Sequence, residues 1–362
     1  MSPYPVYSKS PLKEAVDVAC KKASDILYQA EEEYDRPGHI FLLCSGGYDS
    51  VIASYLSDEM IRCGQRRGYW GAVQPHLVYI NTKIGIEKNR DFVHRFANLF
   101  IGGDRFSEYV TPESYEDWCF RHGFPGPSAH RWMYIRLKER CIKHLVSVST
   151  YQIDKKILHE VLNGMQVLHP LVQHFLLEQI CIEMRKAFQA RKKKIMFITG
   201  VREQESARRA RHVTPIQTRG REIWVSPLAG WSKEEVMMVH QWHRIIRNEV
   251  ADTLHRSKDC LCGAFASKGE LDELCFWYPE EGAYIKDLQR RVMAEGFPWG
   301  WEQGPPKWWN EKKKGQLLLP WPEEEEQELR CQSPRPNDTG FFPLCSTCYA
   351  FEDASEQEEG IE

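Results

Sequence analysis

The stretch Phe41-Leu42-Leu43-Cys44-Ser45-Gly46-Gly47-Tyr48-Asp49-Ser50 limits what this chain can fold into more than any other segment. An apolar run of strand character, Ile40 to Cys44, breaks at two adjacent glycines, and apolar side chains resume at helical spacing from Tyr48 to Leu56. The pattern predicts a strand, a tight turn and the start of a helix. Gly46 and Gly47 open backbone angles closed to other residues and let N–H groups come close to an anion, while the helix points its positive dipole end the same way. Ser45 and Ser50 add hydroxyl donors, and Asp49 is placed to cap the helix or to help hold a magnesium ion.

No Gly-x-x-x-x-Gly-Lys-Ser/Thr occurs in the chain, so the lysine that grips terminal phosphates is missing and transfer of a terminal phosphoryl group is disfavoured. Ser45 to Ser50 resembles the Ser-Gly-Gly-x-Asp-Ser loop of the PP-loop ATP pyrophosphatases. A second segment, Gly200-Val201-Arg202-Glu203-Gln204-Glu205-Ser206-Ala207-Arg208-Arg209, follows the strand pattern Ile195 to Thr199. A glycine at a strand end followed by guanidinium groups offers backbone and planar donors to phosphate or sulfate oxygens. This segment is similar to the Gly-x-Arg-x-x-Glu-Ser-x-x-Arg segment of the phosphoadenylyl sulfate reductase family, and Pro227-Leu228-Ala229-Gly230-Trp231 is similar to a further block of that family. The matched blocks are scattered between Gly38 and Asp272.

The resemblance implies an α/β fold of the adenine nucleotide alpha hydrolase-like kind, with an open, mostly parallel sheet and helices on both faces. It implies that Ser45, Gly46, Gly47, Asp49, Ser50, Gly200, Arg202 and Arg209 bind an adenine nucleotide, ATP or a relative, and that Glu205 and Ser206 help fix the second loop. It implies action at the α phosphorus, with magnesium as a companion of the phosphates. Departures from the family are instructive. Asn81 stands where an Asp commonly precedes Thr82, and the Glu-Cys-Gly-x-His ending whose Cys attacks sulfur in sulfonucleotide reductases is absent. Sulfur transfer or adenylation of an acceptor therefore ranks above sulfonucleotide reduction.

The remaining chain sets the surroundings. Leu12 to Tyr34 keeps a helical period, His76 to Ile80 reads as a second strand, Glu87 to Phe100 as a helix, and Phe106 to Val110 as a third strand. A helix beginning near Ser128 carries Arg131, Arg136, Lys138 and Arg140, with Arg136 and Arg140 on one face, read as a solvated stripe or as cations lining the site. Ile153 to Lys194 reads as a helical insertion split at Pro170. Ser232 with Glu235 has capping-box spacing. The expected organisation is an N-terminal helix in 1–37, a nucleotide-binding domain in 38–250 with its insertion at about 153–194, a Cys/Trp-rich region in 251–351 and an acidic tail in 352–362.

Cys260-Leu261-Cys262 and Cys345-Ser346-Thr347-Cys348 supply four thiols, the number needed for a tetrahedral zinc ion or a cubane iron–sulfur cluster. A redox dithiol at Cys345 and Cys348 and unligated structural thiols are the alternatives, with Cys275 and Cys331 as substitute ligands. Cys260-Leu261-Cys262-Gly263-Ala264-Phe265 resembles segments of iron–sulfur-bearing relatives of the reductases, which favours a 4Fe-4S cluster over zinc. The Trp-Pro-Gly-rich stretch between the pairs, Phe297 to Trp309, reads as the core of a small cap or as rings for base stacking.

A chain of 362 residues with net charge −3 and 42% hydrophobic residues is ordinary for a globular protein. The start lacks a leader pattern and no long apolar run follows, so a cytoplasmic protein without a membrane segment is expected. Between Arg185 and Arg221 twelve Lys or Arg face two acids. That excess motivates a third reading, a nucleic-acid-binding accessory with reduced turnover. Nucleic acid or a sulfur-donor protein is accordingly the expected macromolecular partner. Composition says nothing of oligomeric state.

Overall fold

The computed structural model describes residues 11–34, 37–150, 193–205, 213–306 and 309. Six strands form one sheet: β1 (His39–Leu43), β2 (Pro75–Asn81), β3 (Phe106–Val110), β4 (Ile195–Ile198), β5 (Ile216–Arg219) and β6 (Glu222–Val225). Their spatial order is β3-β2-β1-β4-β6-β5, parallel throughout except for the edge strand β5. The expected open, mostly parallel α/β sheet is what the chain forms.

The central strands read as unbroken apolar runs because both faces are covered. Ile40, Leu42, Met196, Ile198, Ile223 and Val225 point to one face, where they meet α1 (Pro11–Tyr34), α2 (Tyr48–Gln65), α3 (Glu87–Phe96) and α7 (Lys233–Trp242). Phe41, Leu43, Ile195, Phe197 and Trp224 point to the other, against Cys141, Ile142 and Leu145. That second cover is a continuous helical run, α5 (His130–Tyr134) and α6 (Arg140–Thr150), joined by a π-bulge at Ile135–Glu139. In α1 the buried residues Val16, Ala19, Ala23, Leu27 and Ala30 recur every three or four positions, and three alanines let the helix lie close.

β5 was not expected from the sequence. Ile-Gln-Thr-Arg shows no apolar alternation, and it pairs with β6 through a two-residue turn at Gly220 (φ +57). A third core joins α4 (Tyr115–His122) and the start of the 130–150 run to α8 (Glu249–Leu254), α9 (Glu270–Trp277) and α10 (Pro279–Ala294), sealed by Trp299 and Trp301. These tryptophans are core residues: their Nε1 groups donate to the carbonyls of Phe124 and Leu261. The expected helical insertion at 153–194 falls almost wholly outside the described residues. Among the described residues no helix is long and apolar enough to cross a membrane.

Candidate functional site

After β1 the chain builds β2 and β3 on one side and then returns to β4 on the other, so the strand order reverses between β1 and β4. A crevice opens beyond the carboxyl ends of strands at such a reversal. Both sequence segments singled out for chemistry arrive there.

In the loop after β1, Gly46 takes φ +87. The Ser50 hydroxyl receives the Ser45 N–H at 3.2 Å, lies 3.1 Å from the Ser45 hydroxyl and donates to the Gly47 carbonyl at 2.9 Å. Ser50 therefore ties the loop's two ends together. The helix N-cap is Gly47, in extended conformation with no side-chain cap. Asp49, for which capping was one of two expectations, does not cap but sits in the first turn with its carboxylate 2.9 Å from Arg202 Nε, and the Arg202 guanidinium also donates to the Trp231 carbonyl at 3.3 Å. Arg202 is buried, so the pair cross-links the two loops from within. A Cβ at Gly200 would fall 2.4 Å from the Ser50 nitrogen, which shows how closely the β4 tip approaches the first turn of α2.

Ser45, Gly46, Gly47, Asp49, Ser50, Gly200 and Arg202 are thus brought together. Glu205 ends a short 3-10 turn, Glu203–Glu205, while Ser206 and Arg209 lie outside the described residues. Arg136 and Arg140 both bind Glu113, and Asn81 binds Glu108 together with Arg90 and His94. Thr82 is buried and donates to the Asp259 carbonyl at 2.8 Å.

Thr82 leads to a wall that sequence reasoning did not anticipate. Residues 255–263 run as a strap across the loop 82–86: Ile86 N donates to Lys258 O at 3.1 Å and Leu261 N to Ile84 O at 2.9 Å. His255 and Lys258 hold left-handed backbone angles (φ 56 and 49), and Lys258 is anchored on Glu270. Ser257 lies against the loop, its Cβ 3.7 Å from where a Gly47 Cβ would be. Its hydroxyl donates to Asp259 at 3.3 Å, and the other Asp259 oxygen is 2.8 Å from the Lys138 ammonium, which the π-bulge directs inward. Burial opposes the charge on Lys138, but the Asp259 carboxylate and the neighbouring thiols outweigh it and hold the amine above its ordinary pKa.

Cys260 and Cys262 sit on this strap, within hydrogen-bonding reach of each other. A hydrogen bond from Cys260 holds Cys262 below the usual thiol pKa and pushes Cys260 up. Burial drives Cys44 to about 11 and Cys119 to about 12, so both stay protonated. Two adjacent thiols are half of a tetrahedral donor set. Among the described residues no group of three or more His, Cys, Asp or Glu can hold a metal ion. Cys345 and Cys348, the other expected ligands, lie outside the described residues.

No protein-family model and no curated protein matches the chain. Among solved structures it is similar to phosphoadenylyl-sulfate (PAPS) reductase from Candida auris in a phosphate complex, at 14% identity, 68% coverage of this chain, 94% of that one and a TM-score of 0.37. It is similar to NMN synthetase from Francisella tularensis, at 11% identity, 75% and 94% coverage and a TM-score of 0.32. A third likeness is to the U34-tRNA thiolase NcsA from Methanococcus maripaludis with its [4Fe-4S] cluster, at 10% identity, 85% and 90% coverage and a TM-score of 0.32. The Ser-Gly-Gly-Tyr-Asp-Ser loop thus sits at the reversal point of a mostly parallel α/β sheet.

Proposed function

We propose that the crevice binds an adenine nucleotide, ATP or a relative, and acts at its α phosphorus to pass sulfur or an adenylyl group to an acceptor. The observation that supports this most is the packing of the Gly200 tip onto the first turn of α2, which sets two loops of anion-binding character side by side. Ser45 to Ser50 takes the phosphates on backbone N–H groups and the helix dipole. Because Asp49 and Arg202 neutralise each other, that attraction comes from fixed dipoles. Gly200, Glu205, Ser206 and Arg209 complete the second loop. Asp49 is the residue that would hold a magnesium ion, which would neutralise charge on the phosphate oxygens.

Residues 38–250 carry the nucleotide in this reading, and 251–351 supply the thiols. Cys260, Cys262, Cys345 and Cys348 would hold a 4Fe-4S cluster, or zinc in its place. The acceptor in this reading is a nucleic acid, and a sulfur-donor protein is the other partner it calls for. Pyrophosphate release from ATP and magnesium by the full chain, lost in Asp49→Ala, tests the reading. Brisk sulfite release from phosphoadenylyl sulfate with thioredoxin would replace it with reduction. Nucleic-acid binding that survives Asp49→Ala without any turnover would replace it with an accessory role. About four irons per anaerobically purified chain would support the cluster, and stoichiometric zinc would assign the thiols a structural part.

A further inference from the structure

We infer that Asn89 and Asn248 are a positioning pair that holds the Ser45–Ser50 loop in its anion-receiving shape. The purpose of the pair rests on the proposed function, but its geometry does not. Asn89 is fully buried at 0% exposure in the first turn of α3, and its Nδ2 donates to the Ser45 carbonyl, 44 residues earlier, at 3.0 Å. Asn248, also buried, donates from Nδ2 to the Gly46 carbonyl at 2.8 Å, across 202 residues, and to Asn89 Oδ1 at 2.7 Å. Its Oδ1 accepts the Val250 N–H at 3.1 Å and so caps α8.

Both Nδ2 protons and the oxygen of Asn248 are engaged, and Asn89 both donates and accepts. Asn89 also hydrogen-bonds the buried Tyr79 hydroxyl of β2, which ties the pair to the sheet. Carbonyl dipoles aimed at an incoming phosphate would repel it. Here the successive carbonyls of Ser45 and Gly46 are bound to buried amides, which turns the loop's acceptors inward. Only a glycine fits between them: a Cβ at Gly46 would fall 2.2 Å from Asn89 Oδ1. Because Asn248 also starts α8, which leads into the strap 255–263, one side chain fixes the phosphate loop and the root of the opposite wall together.

Asn248→Ser keeps an N-capping hydroxyl and adds no charge, but it is too short to reach both Gly46 and Asn89. Hydrogen exchange of the peptide 44–51, thermal melting, and binding of inorganic pyrophosphate and of ATP with magnesium are measured on the full chain. The set is wild type, Asn248→Ser, Asn89→Ser and the double variant. The expected result is loop exchange faster by about tenfold in each variant, unchanged exchange in β1 and in the later turns of α2, and pyrophosphate affinity about tenfold weaker. The double variant is expected to match the worse single, because the two amides act as one unit. Unchanged loop exchange in Asn248→Ser, or exchange that rises equally over the whole chain, overturns the inference, and this holds even where Asn89→Ser fails to fold. A wild type that binds neither probe, with loop exchange still accelerated in Asn248→Ser, leaves the pair standing and sinks the nucleotide reading instead.

Discussion

The loop after β1 and the strap 255–263 touch where Gly47 meets Ser257, yet the two hold their shapes by different means. The loop uses a glycine where its backbone must turn, Gly46, is approached closely by another at the β4 tip, Gly200, and anchors its carbonyls on single buried amides. The strap uses one such glycine at its end, Gly263, but also places two ordinary residues, His255 and Lys258, at left-handed angles, which costs on the order of 1–2 kcal/mol each. It offsets that cost with Lys258–Glu270, Lys138–Asp259 and the indoles beneath it. A phosphate site of fixed dipoles therefore depends on backbone geometry, whereas a wall presenting thiols depends on a packed core.

Trp301→Ala is the strongest way to break that contrast. Trp301 is buried, it donates to the Leu261 carbonyl, and Gly263 (φ +74) would place a Cβ 2.6 Å from its Nε1. Removing the ring leaves a cavity beneath the strap at Leu261 and Gly263, in the core against which both thiols pack. A stability loss of about 3–5 kcal/mol is expected by urea denaturation, with faster alkylation of Cys260 and Cys262. Pyrophosphate affinity of the protein that remains folded should change little. Loss of anion binding in step with stability would show that strap and loop are one unit.

Gly46→Ala is the reciprocal variant. The left-handed angle and the collision with Asn89 together cost about 3 kcal/mol, and pyrophosphate affinity should fall more than about tenfold by calorimetric titration. Thiol alkylation should stay near the wild-type rate. Equal acceleration of alkylation would erase the distinction between the walls.

These variants also show what could be read from sequence. The loop was legible because its glycines, hydroxyls and acid are contiguous, and β1 and β4 because doubly covered parallel strands are apolar runs. The capping box at Ser232 and Glu235 was legible from spacing, and both of its bonds form. Asn89, Asn248 and Asp259 were not, and Lys138 only as one of four cations on a basic helix, since each has a bonding partner far away in the chain: 44, 202 and 121 residues separate the bonded pairs. Asn248 directly before Glu249 was the one local signal, an N-cap residue at a helix start. Of the two parts open to Asp49, capping is taken by Gly47, which leaves Asp49 in the first turn facing Arg202. The π-bulge that directs Lys138 has no sequence signature at all.

The loop helix has a second dependence, on proton concentration. His240 packs edge-on against Tyr48 with ring centroids 5.4 Å apart, and burial, aided by the Arg247 charge, pushes its pKa from 6.5 down to about 4. Below pH 6.5 the unfolded chain takes up a proton that the folded chain refuses until about pH 4, so stability falls as pH drops through that window. Between pH 7 and pH 4.5 this group should account for about 2 kcal/mol. Urea midpoints at the two pH values for wild type and His240→Gln check it: the variant should lose correspondingly less. An identical acid limb in both proteins would remove His240 from the account and leave the loop wall insensitive to pH.

The smallest expected effect serves as the baseline for both walls. Ser232 accepts the Glu235 N–H at 3.1 Å, and Glu235 returns a bond to the Ser232 N–H at 2.8 Å while its other oxygen holds Lys22 of α1 at 2.7 Å. The box thus starts α7, which packs mainly on α1 and α2. Ser232→Ala removes one half of the box and leaves the Glu235 half in place, so about 1 kcal/mol of stability should go, without a change in pyrophosphate affinity or thiol alkylation. Lys22→Met, at a half-exposed ion pair, should cost under about 0.5 kcal/mol. If Ser232→Ala weakened pyrophosphate binding, the loop would be sensitive to any loosening of its supporting helices, and the selective loss expected from Asn248→Ser would no longer single out the amide pair.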